Sequence, residues 1–321
     1  MSQRKTDHIE LAKLSQTDKL EADTRFYYEP LLSAHPTGKV IKPIRFAGKT
    51  MRYPIWISSI TGGTDLAKKI NINLSKAAKE FGLGMALGSC RCLLENNDCF
   101  KDFDMRKNIG NQPFYANLGI AQIEKIVKEN TYHKITELIN KLQADGLFIH
   151  INPLQEIYQP EGDKISVSPI KTLEKFTEKI KTNIFVKEVG QGFGPESLEA
   201  LFKLDIKGVE FAAFGGTNFT KLEMMRQNNI SSMQNVGHTI DEMIKFYNSI
   251  LYNKEKTVII SGGINSYLDG YYYINKINAD AVYGQAYNML KYAAKSYKVL
   301  QKYLLEEIKG LELAYSYLKL K

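Results

Sequence analysis

The sequence predicts an α/β protein built as a closed (β/α)8 barrel with an N-terminal extension, and three observations predict it. The chain has 321 residues, and barrels of about 250 residues form one domain with room for extensions. From residue 55 onward, eight short apolar runs alternate with longer helical patterns. Glycines and polar residues gather directly after those runs, where a TIM barrel carries its chemistry.

Residues 1–54 read as an N-terminal extension and barrel-closing segment, and residues 55–321 as the barrel with a C-terminal helix. The extension carries an acidic-basic helical pattern around Asp18–Phe26, followed by Pro30, Pro36 and Pro43 in a loop-rich run. Val40–Phe46, with a turn at Ala47-Gly48, is expected to form a hairpin that closes the bottom of the barrel. Strands are expected at Ile55–Ile60, Gly84–Leu87, Phe114–Leu118, Gly146–Ile151, Asn183–Val186, Gly208–Phe214, Thr257–Ile260 and Asp280–Tyr283. Most are continuous apolar runs, as parallel strands covered on both faces require. Between them, apolar residues recur at helical spacing, for instance Leu66, Ile70, Leu74, Ala77, Ala78 and Phe81, and later Leu198, Leu201 and Phe202. One helix is expected over Ala286–Lys309, its stripe of Tyr297, Leu300, Tyr303, Leu304 and Ile308 packing on the barrel, with subunit contact as the second reading. An open doubly wound sheet is the alternative architecture.

Composition narrows the function classes. With 44% hydrophobic and 24% charged residues, the chain can bury a sizeable core. The start, MSQRKTDHIELAK, is charged and lacks the apolar run of a secretory signal. No apolar stretch approaches the roughly 20 residues that span a bilayer, so a cytoplasmic protein without a membrane partner is expected. The net charge is +8, yet the lysines are spread along the chain with no basic run and no nucleic-acid motif, so no nucleic-acid partner is expected. That charge reads as solvated surface whose field favours an anionic substrate. Cys90, Cys92 and Cys99 are one ligand short of a closed zinc site and are expected as reduced thiols.

Collected in order, the groups after the eight runs are Thr61-Gly62-Gly63; Gly88-Ser89-Cys90-Arg91; Asn117-Leu118-Gly119; His150 through Glu156; Lys187-Glu188; Gly215-Gly216-Thr217; Ser261-Gly262-Gly263; and Gly284-Gln285-Ala286. The sixth to eighth turns are small and glycine-rich, which exposes backbone N–H groups to an anion and suggests a phosphate cradle. Lys187 ends an apolar strand, where an ammonium needs an anionic or electron-rich partner. Glu188 is one partner, in a structural ion pair, and a cofactor is the other. Thr61, Ser89 and Asn117 suit the polar edge of a heterocycle. Arg91 offers a bidentate fork for phosphate, and Arg4-Lys5 add charge near the mouth. The fourth run is densest: His150 and Asn152 share a pleat face, and Pro153 starts a turn presenting Gln155 and Glu156. A carboxylate beside diphosphate oxygens suits Mg²⁺. Gln159-Pro160-Glu161-Gly162-Asp163 adds acidic residues, as alternative metal ligands or as solvated charge.

On these residues the chain resembles the type 2 isopentenyl-diphosphate isomerases, FMN-dependent barrel enzymes. The resemblance runs nearly end to end, through Arg4-Lys5-x-Asp7-His8, Ile60-Thr61-Gly62-Gly63, Gly88-Ser89-x-Arg91, Ala116-Asn117-Leu118-Gly119, His150–Glu156 with Gln159–Asp163, Val186–Gly190, Gly215-Gly216-Thr217 and Ser261-Gly262-Gly263. It implies FMN held by Thr61, Gly62, Ser89, Asn117, Lys187, Thr217, Gly262, Gly263 and Ala286. It also implies Arg4, Lys5, Ser89, Arg91, His150, Asn152 and Gln155 facing a diphosphate substrate, with Glu156 on Mg²⁺. The resemblance also implies Gln155, His150 and Asn152 as the catalytic set, orienting the substrate, with reduced flavin, made once with NADPH, as acid and base. A homo-oligomer is expected. Glu210-Phe-Ala-Ala-Phe214, Tyr271-Tyr272-Tyr273 and the cysteines around Arg91 depart from the family pattern. The alternative is an FMN barrel of the 2-hydroxy-acid oxidase or dehydrogenase type, whose His-x-x-Arg-like base and clamp are missing from Gly216–Glu223. A non-catalytic phosphate-binding barrel would leave the His150–Glu156 cluster unexplained.

Overall fold

The computed structural model of the chain describes residues 2–59, 62–96, 98–251 and 255–321. Eight parallel strands close into a barrel: β1 (Ile55–Ile57), β2 (Gly84–Ala86), β3 (Phe114–Gly119), β4 (Gly146–His150), β5 (Asn183–Lys187), β6 (Gly208–Glu210), β7 (Thr257–Ser261) and β8 (Ala281–Gln285). The ring shuts where β8 pairs with β1, Tyr283 opposite Ile55 and Gln285 opposite Ile57. Closure leaves no unpaired edge, and this excludes the open sheet.

The helix Asp65–Phe81 shows how sequence makes the outer layer. The Thr64 hydroxyl caps it by accepting from Ala67 N–H, and Gly82 ends it in the left-handed conformation. Ile70, Leu74, Ala77, Ala78 and Phe81 are buried, as their spacing predicts. Leu66 is not: it is 61% exposed, and Ala67, three residues before Ile70, takes the inward position.

The core has two layers. One lies between strands and helices, and the other fills the barrel with Trp56, Tyr115, Phe148, Phe185, Ile259 and Val282. The predicted hairpin, Ile44–Phe46 paired with Lys49–Met51, closes this inner layer from below. Its turn has positive φ at both Ala47 and Gly48, the geometry of a two-residue hairpin loop. Phe46 is fully buried, stacking 4.6 Å from Trp56 and 5.1 Å from Phe185 between ring centroids.

Four expectations are corrected. Around Asp18–Phe26 only a single 3-10 turn, Lys19–Glu21, forms, and Phe26–Tyr28 pairs antiparallel with the C-terminal Leu318–Leu320. Tertiary pairing outweighs the local helical pattern there, and a helix over Ser2–Leu11 precedes it. The sixth apolar run leaves the sheet after Glu210, with Ala212 at φ 44. The C-terminal segment is two helices, Tyr287–Ala293 and Tyr297–Tyr317, because the Ser296 hydroxyl caps a new start at Val299 N–H. The stripe of the second helix does pack on the barrel, with Leu300, Leu304 and Ile308 buried. Last, Cys92 and Cys99 form a disulfide, and only Cys90 is free. The short helix Cys92–Glu95 folds the loop back until the two Cα atoms are 6.5 Å apart, within bridging range. Among the described residues no helix is long and apolar enough to cross a membrane.

Candidate active site

Two groups of residues meet at the C-terminal ends of the strands. The first lines a cavity of about 330 Å³ over β5 to β8 and β1, walled by Ser58, Ser59, Lys187, Glu210, Gly215, Gly216, Thr217, Ser261, Gly262, Gly263, Gln285 and Ala286. The glycine turns come this close because they lack side chains. A Cβ on Gly262 would sit 2.1 Å from the Ala213 carbonyl oxygen, and Gly262 has φ +98. Lys187 is buried, and its ammonium donates to the Glu188 carbonyl at 2.7 Å. The Glu188 carboxylate turns away from it and accepts N–H bonds from Gly190, Gln191 and Gly192. The structural Lys187–Glu188 carboxylate pair considered from sequence is therefore not formed.

Several polar atoms on this wall have no partner among the described residues. Glu210 is 1% exposed, and while Oε1 accepts from the Ser261 hydroxyl at 3.0 Å, Oε2 has no hydrogen-bond partner. The hydroxyls of Ser58 and Ser59 are in the same position. Buried unsatisfied polar atoms cost about 1–3 kcal/mol each, so a cluster of them around one cavity marks groups awaiting a polar ligand. Phosphate, hydroxyls and a heterocycle edge fit this donor set, which joins one ammonium, open glycine backbone and unpaired hydroxyls.

The second group lies over β2 to β4. Asn117 donates from Nδ2 to the Leu87 carbonyl at 3.1 Å, which aims its Oδ1 at His150 Nδ1, 2.9 Å away. That contact requires the proton on Nδ1. Burial, and then the nearby Lys187 charge, push His150 down to about 3, so its ring is neutral at physiological pH. Asn152 is buried at the start of the helix Pro153–Tyr158 and donates to Gln155 Oε1 at 3.1 Å and Glu156 Oε1 at 3.0 Å. Glu156 Oε2 accepts from Asp163 N–H at 2.7 Å. Arg91 pairs with Asp163 at 2.8 Å and with Glu95 at 3.6 Å.

The sequence-derived site residues separate accordingly. Lys187, Thr217, Gly262, Gly263 and Ala286 come together on the cavity wall. Asn117 and His150 form one pair, and Asn152, Gln155 and Glu156 form another cluster, so His150 and Asn152 share no hydrogen bond despite the pleat argument. Gly62 lies against the Phe103 ring, and Ser89 is exposed at its strand end. Thr61 lies outside the described residues. Arg4 and Lys5 sit exposed on the N-terminal helix Ser2–Leu11.

Curated relatives decide the family. The isopentenyl-diphosphate delta-isomerase of Rickettsia prowazekii (strain Madrid E) is 34% identical over 317 residues, 95% of this chain and 89% of its own length. That of Rickettsia typhi is 35% identical over 280 residues, 84% and 80% of the two chains. The chain belongs to the type 2 isopentenyl-diphosphate delta-isomerases. No protein-family model matches it. Among solved structures, a flavocytochrome b2 variant with sulfite bound superposes with a TM-score of 0.64 at 14% identity, over 90% of this chain and 71% of that one. A mandelate oxidase variant with an FMN adduct gives 0.60 at 11% identity, over 92% and 88%. At such identities the likeness shows the shared barrel alone.

In this isomerase several site residues were missed from sequence. Glu210 had the same signal as Lys187, an ionisable group inside an apolar run, but was read only as a departure from the family pattern. Ser58 and Ser59 were absorbed into an overlong first strand. Glu223, 3% exposed on the helix Phe219–Arg226, faces Gln155 Nε2 at 3.5 Å and pairs with Arg226 at 2.5 Å. Among the described residues no three His, Cys, Asp or Glu side chains form a metal-binding group.

Proposed function

We propose that this isomerase converts isopentenyl diphosphate to dimethylallyl diphosphate with FMN on the cavity of β5 to β8 and Mg²⁺ on the substrate diphosphate. The observation that carries the reading is the cluster of unsatisfied buried atoms, Glu210 Oε2 and the Ser58 and Ser59 hydroxyls, beside the Lys187 ammonium. Thr61, Gly62, Ser89, Asn117, Lys187, Thr217, Gly262, Gly263 and Ala286 would hold the cofactor, the glycines by open backbone and Lys187 by its charge. Once reduced by NADPH, the flavin supplies acid-base chemistry and an electron-rich surface without net redox.

The chain's own groups bind and orient. Neutral His150 donates through Nδ1 to Asn117, which fixes its ring, and neither it nor Gln155 is acidic enough to protonate an unactivated alkene. Asn152 holds the side chains of Gln155 and Glu156 toward one another. Glu156 would give Mg²⁺ one carboxylate, and Arg91, with Arg4 and Lys5, would take the diphosphate charge. Homo-oligomer formation belongs to the same reading, with Ile9, Leu14, Leu20 and Leu31 exposed on the extension.

The deciding experiment is anaerobic turnover of isopentenyl diphosphate with Mg²⁺, FMN and limiting NADPH. Many dimethylallyl diphosphate molecules per NADPH are expected, from a yellow protein that releases FMN on denaturation. Turnover that stops at one product molecule per NADPH would instead make it an oxidoreductase, and a protein unable to take up FMN would sink the cofactor assignment.

A further inference from the structure

Asp163 lies on the loop after the helix Pro153–Tyr158, more than ten residues beyond the end of β4. Its carboxylate nevertheless reaches groups from two other strand ends. Oδ2 accepts from Arg91 Nη1 at 2.8 Å, after β2, and from Gln122 Nε2 at 2.9 Å, after β3. Gln122 is itself anchored, its Oε1 accepting from Gly119 N–H at 3.0 Å. The backbone N–H of Asp163 donates to Glu156 Oε2 at 2.7 Å. The loop can make this return because residue 162 is glycine: a Cβ there would lie 2.0 Å from the Glu156 carbonyl oxygen.

We infer that Asp163 is a positioning residue for the isomerisation, holding the Arg91 fork toward the diphosphate while its N–H orients the Glu156 carboxylate. The inference rests on the proposed reading that Arg91 binds the diphosphate. A guanidinium on a long flexible stem costs rotamer entropy to order, and with Asp163 on Nη1 and Glu95 3.6 Å from Nε the fork is held on two sides while Nη2 stays open to an anion. Arg91 and Asp163 keep side-chain exposures of 44% and 39%, so the pair adds little to stability. Its effect falls on binding. The opposite role, Asp163 as a competing anion that substrate must displace, predicts the reverse sign.

The test is steady-state kinetics on the FMN-loaded enzyme with isopentenyl diphosphate. Asp163→Asn keeps the N–H to Glu156 and removes the charge behind Arg91. It is expected to raise KM about tenfold with kcat within about twofold, a loss of the size that follows when a group orienting a metal ligand is removed. In an Arg91→Ala background the same change is expected to alter KM by less than about twofold, since coupled residues are not additive. Asp163→Glu, which retains the charge, recovers part of the loss. An unchanged or lowered KM in Asp163→Asn, or a full tenfold effect without Arg91, overturns the inference while leaving the diphosphate reading intact. If Arg91→Ala itself leaves KM unchanged, the diphosphate reading of Arg91 fails and the inference with it. Should Asp163→Asn lose FMN or melt early, Gln122→Met removes the second bond to the carboxylate; a KM raised about threefold supports the inference and an unchanged KM overturns it.

Discussion

Glu307 has a carboxyl group 7% exposed beneath the cavity, accepting from Gln285 Nε2 at 3.4 Å, while Tyr303 donates to Gln285 Oε1 at 2.8 Å. Burial pushes Glu307 up to about 7 from its ordinary 4.5. A carboxyl whose folded pKa lies above its unfolded one binds protons more tightly when folded. Its contribution is therefore fully present below about pH 4.5 and is lost as pH rises through 7, on the order of 3 kcal/mol across that window. Glu307→Gln is expected to raise the melting temperature at pH 8 and to change it little at pH 5; equal shifts at both pH values would refute the burial account. Lys187 was legible in the sequence because an ammonium closing an apolar run must find a partner. Glu307 was not, because nothing in a helix on the far side of the chain says that it will face the end of β8.

Among elements, the hairpin Ile44–Phe46 with Lys49–Met51 does the most for its size. Its turn was readable from Ala47-Gly48, and its role follows from Phe46 stacking inside the barrel. Phe46→Ala is expected to destabilise the protein by about 3–5 kcal/mol, the cost of an aromatic cavity. Denaturant unfolding reads that value directly, and a loss below about 1 kcal/mol would mean the barrel floor closes without it. The Cys92–Cys99 bridge was misread because three cysteines argued against a metal but could not say which two approach. Likewise the break at Ser296 hid within one long helical stripe, since a serine serves helix interiors and helix caps alike.

At the scale of the molecule, residues 8–24 of the extension are exposed, including Ile9, Leu14 and Leu20, and the first tie to the barrel's outer layer after them is Arg25, which pairs with Asp269 at 2.8 Å. The exposed residues therefore contribute little to stability in a single copy. Deleting residues 2–11 is expected to leave the melting temperature within about 1 °C, as for surface changes away from packed features. The deletion also removes Arg4 and Lys5, so KM for isopentenyl diphosphate is expected to rise. An unchanged KM would take both residues out of the substrate site, and a drop of several degrees would show that the arm packs against another surface.

The sequence by itself determined the barrel, its eight strands, the hairpin floor and the glycine turns, because each rests on local periodicity or on a backbone conformation that few residues allow. It also determined the family, because the motifs at the strand ends are contiguous. Only the tertiary structure decided how those ends divide: Lys187 and the glycine turns around one cavity, His150 with Asn117, and Asn152, Glu156, Asp163 and Arg91 in another network. It alone joined Phe26–Tyr28 to Leu318–Leu320. Apart from the local bonds of Glu156 to Asn152 and Asp163, these contacts link residues tens to hundreds of positions apart, and a side chain's partner across such a distance is set by the closed barrel, which no local pattern encodes.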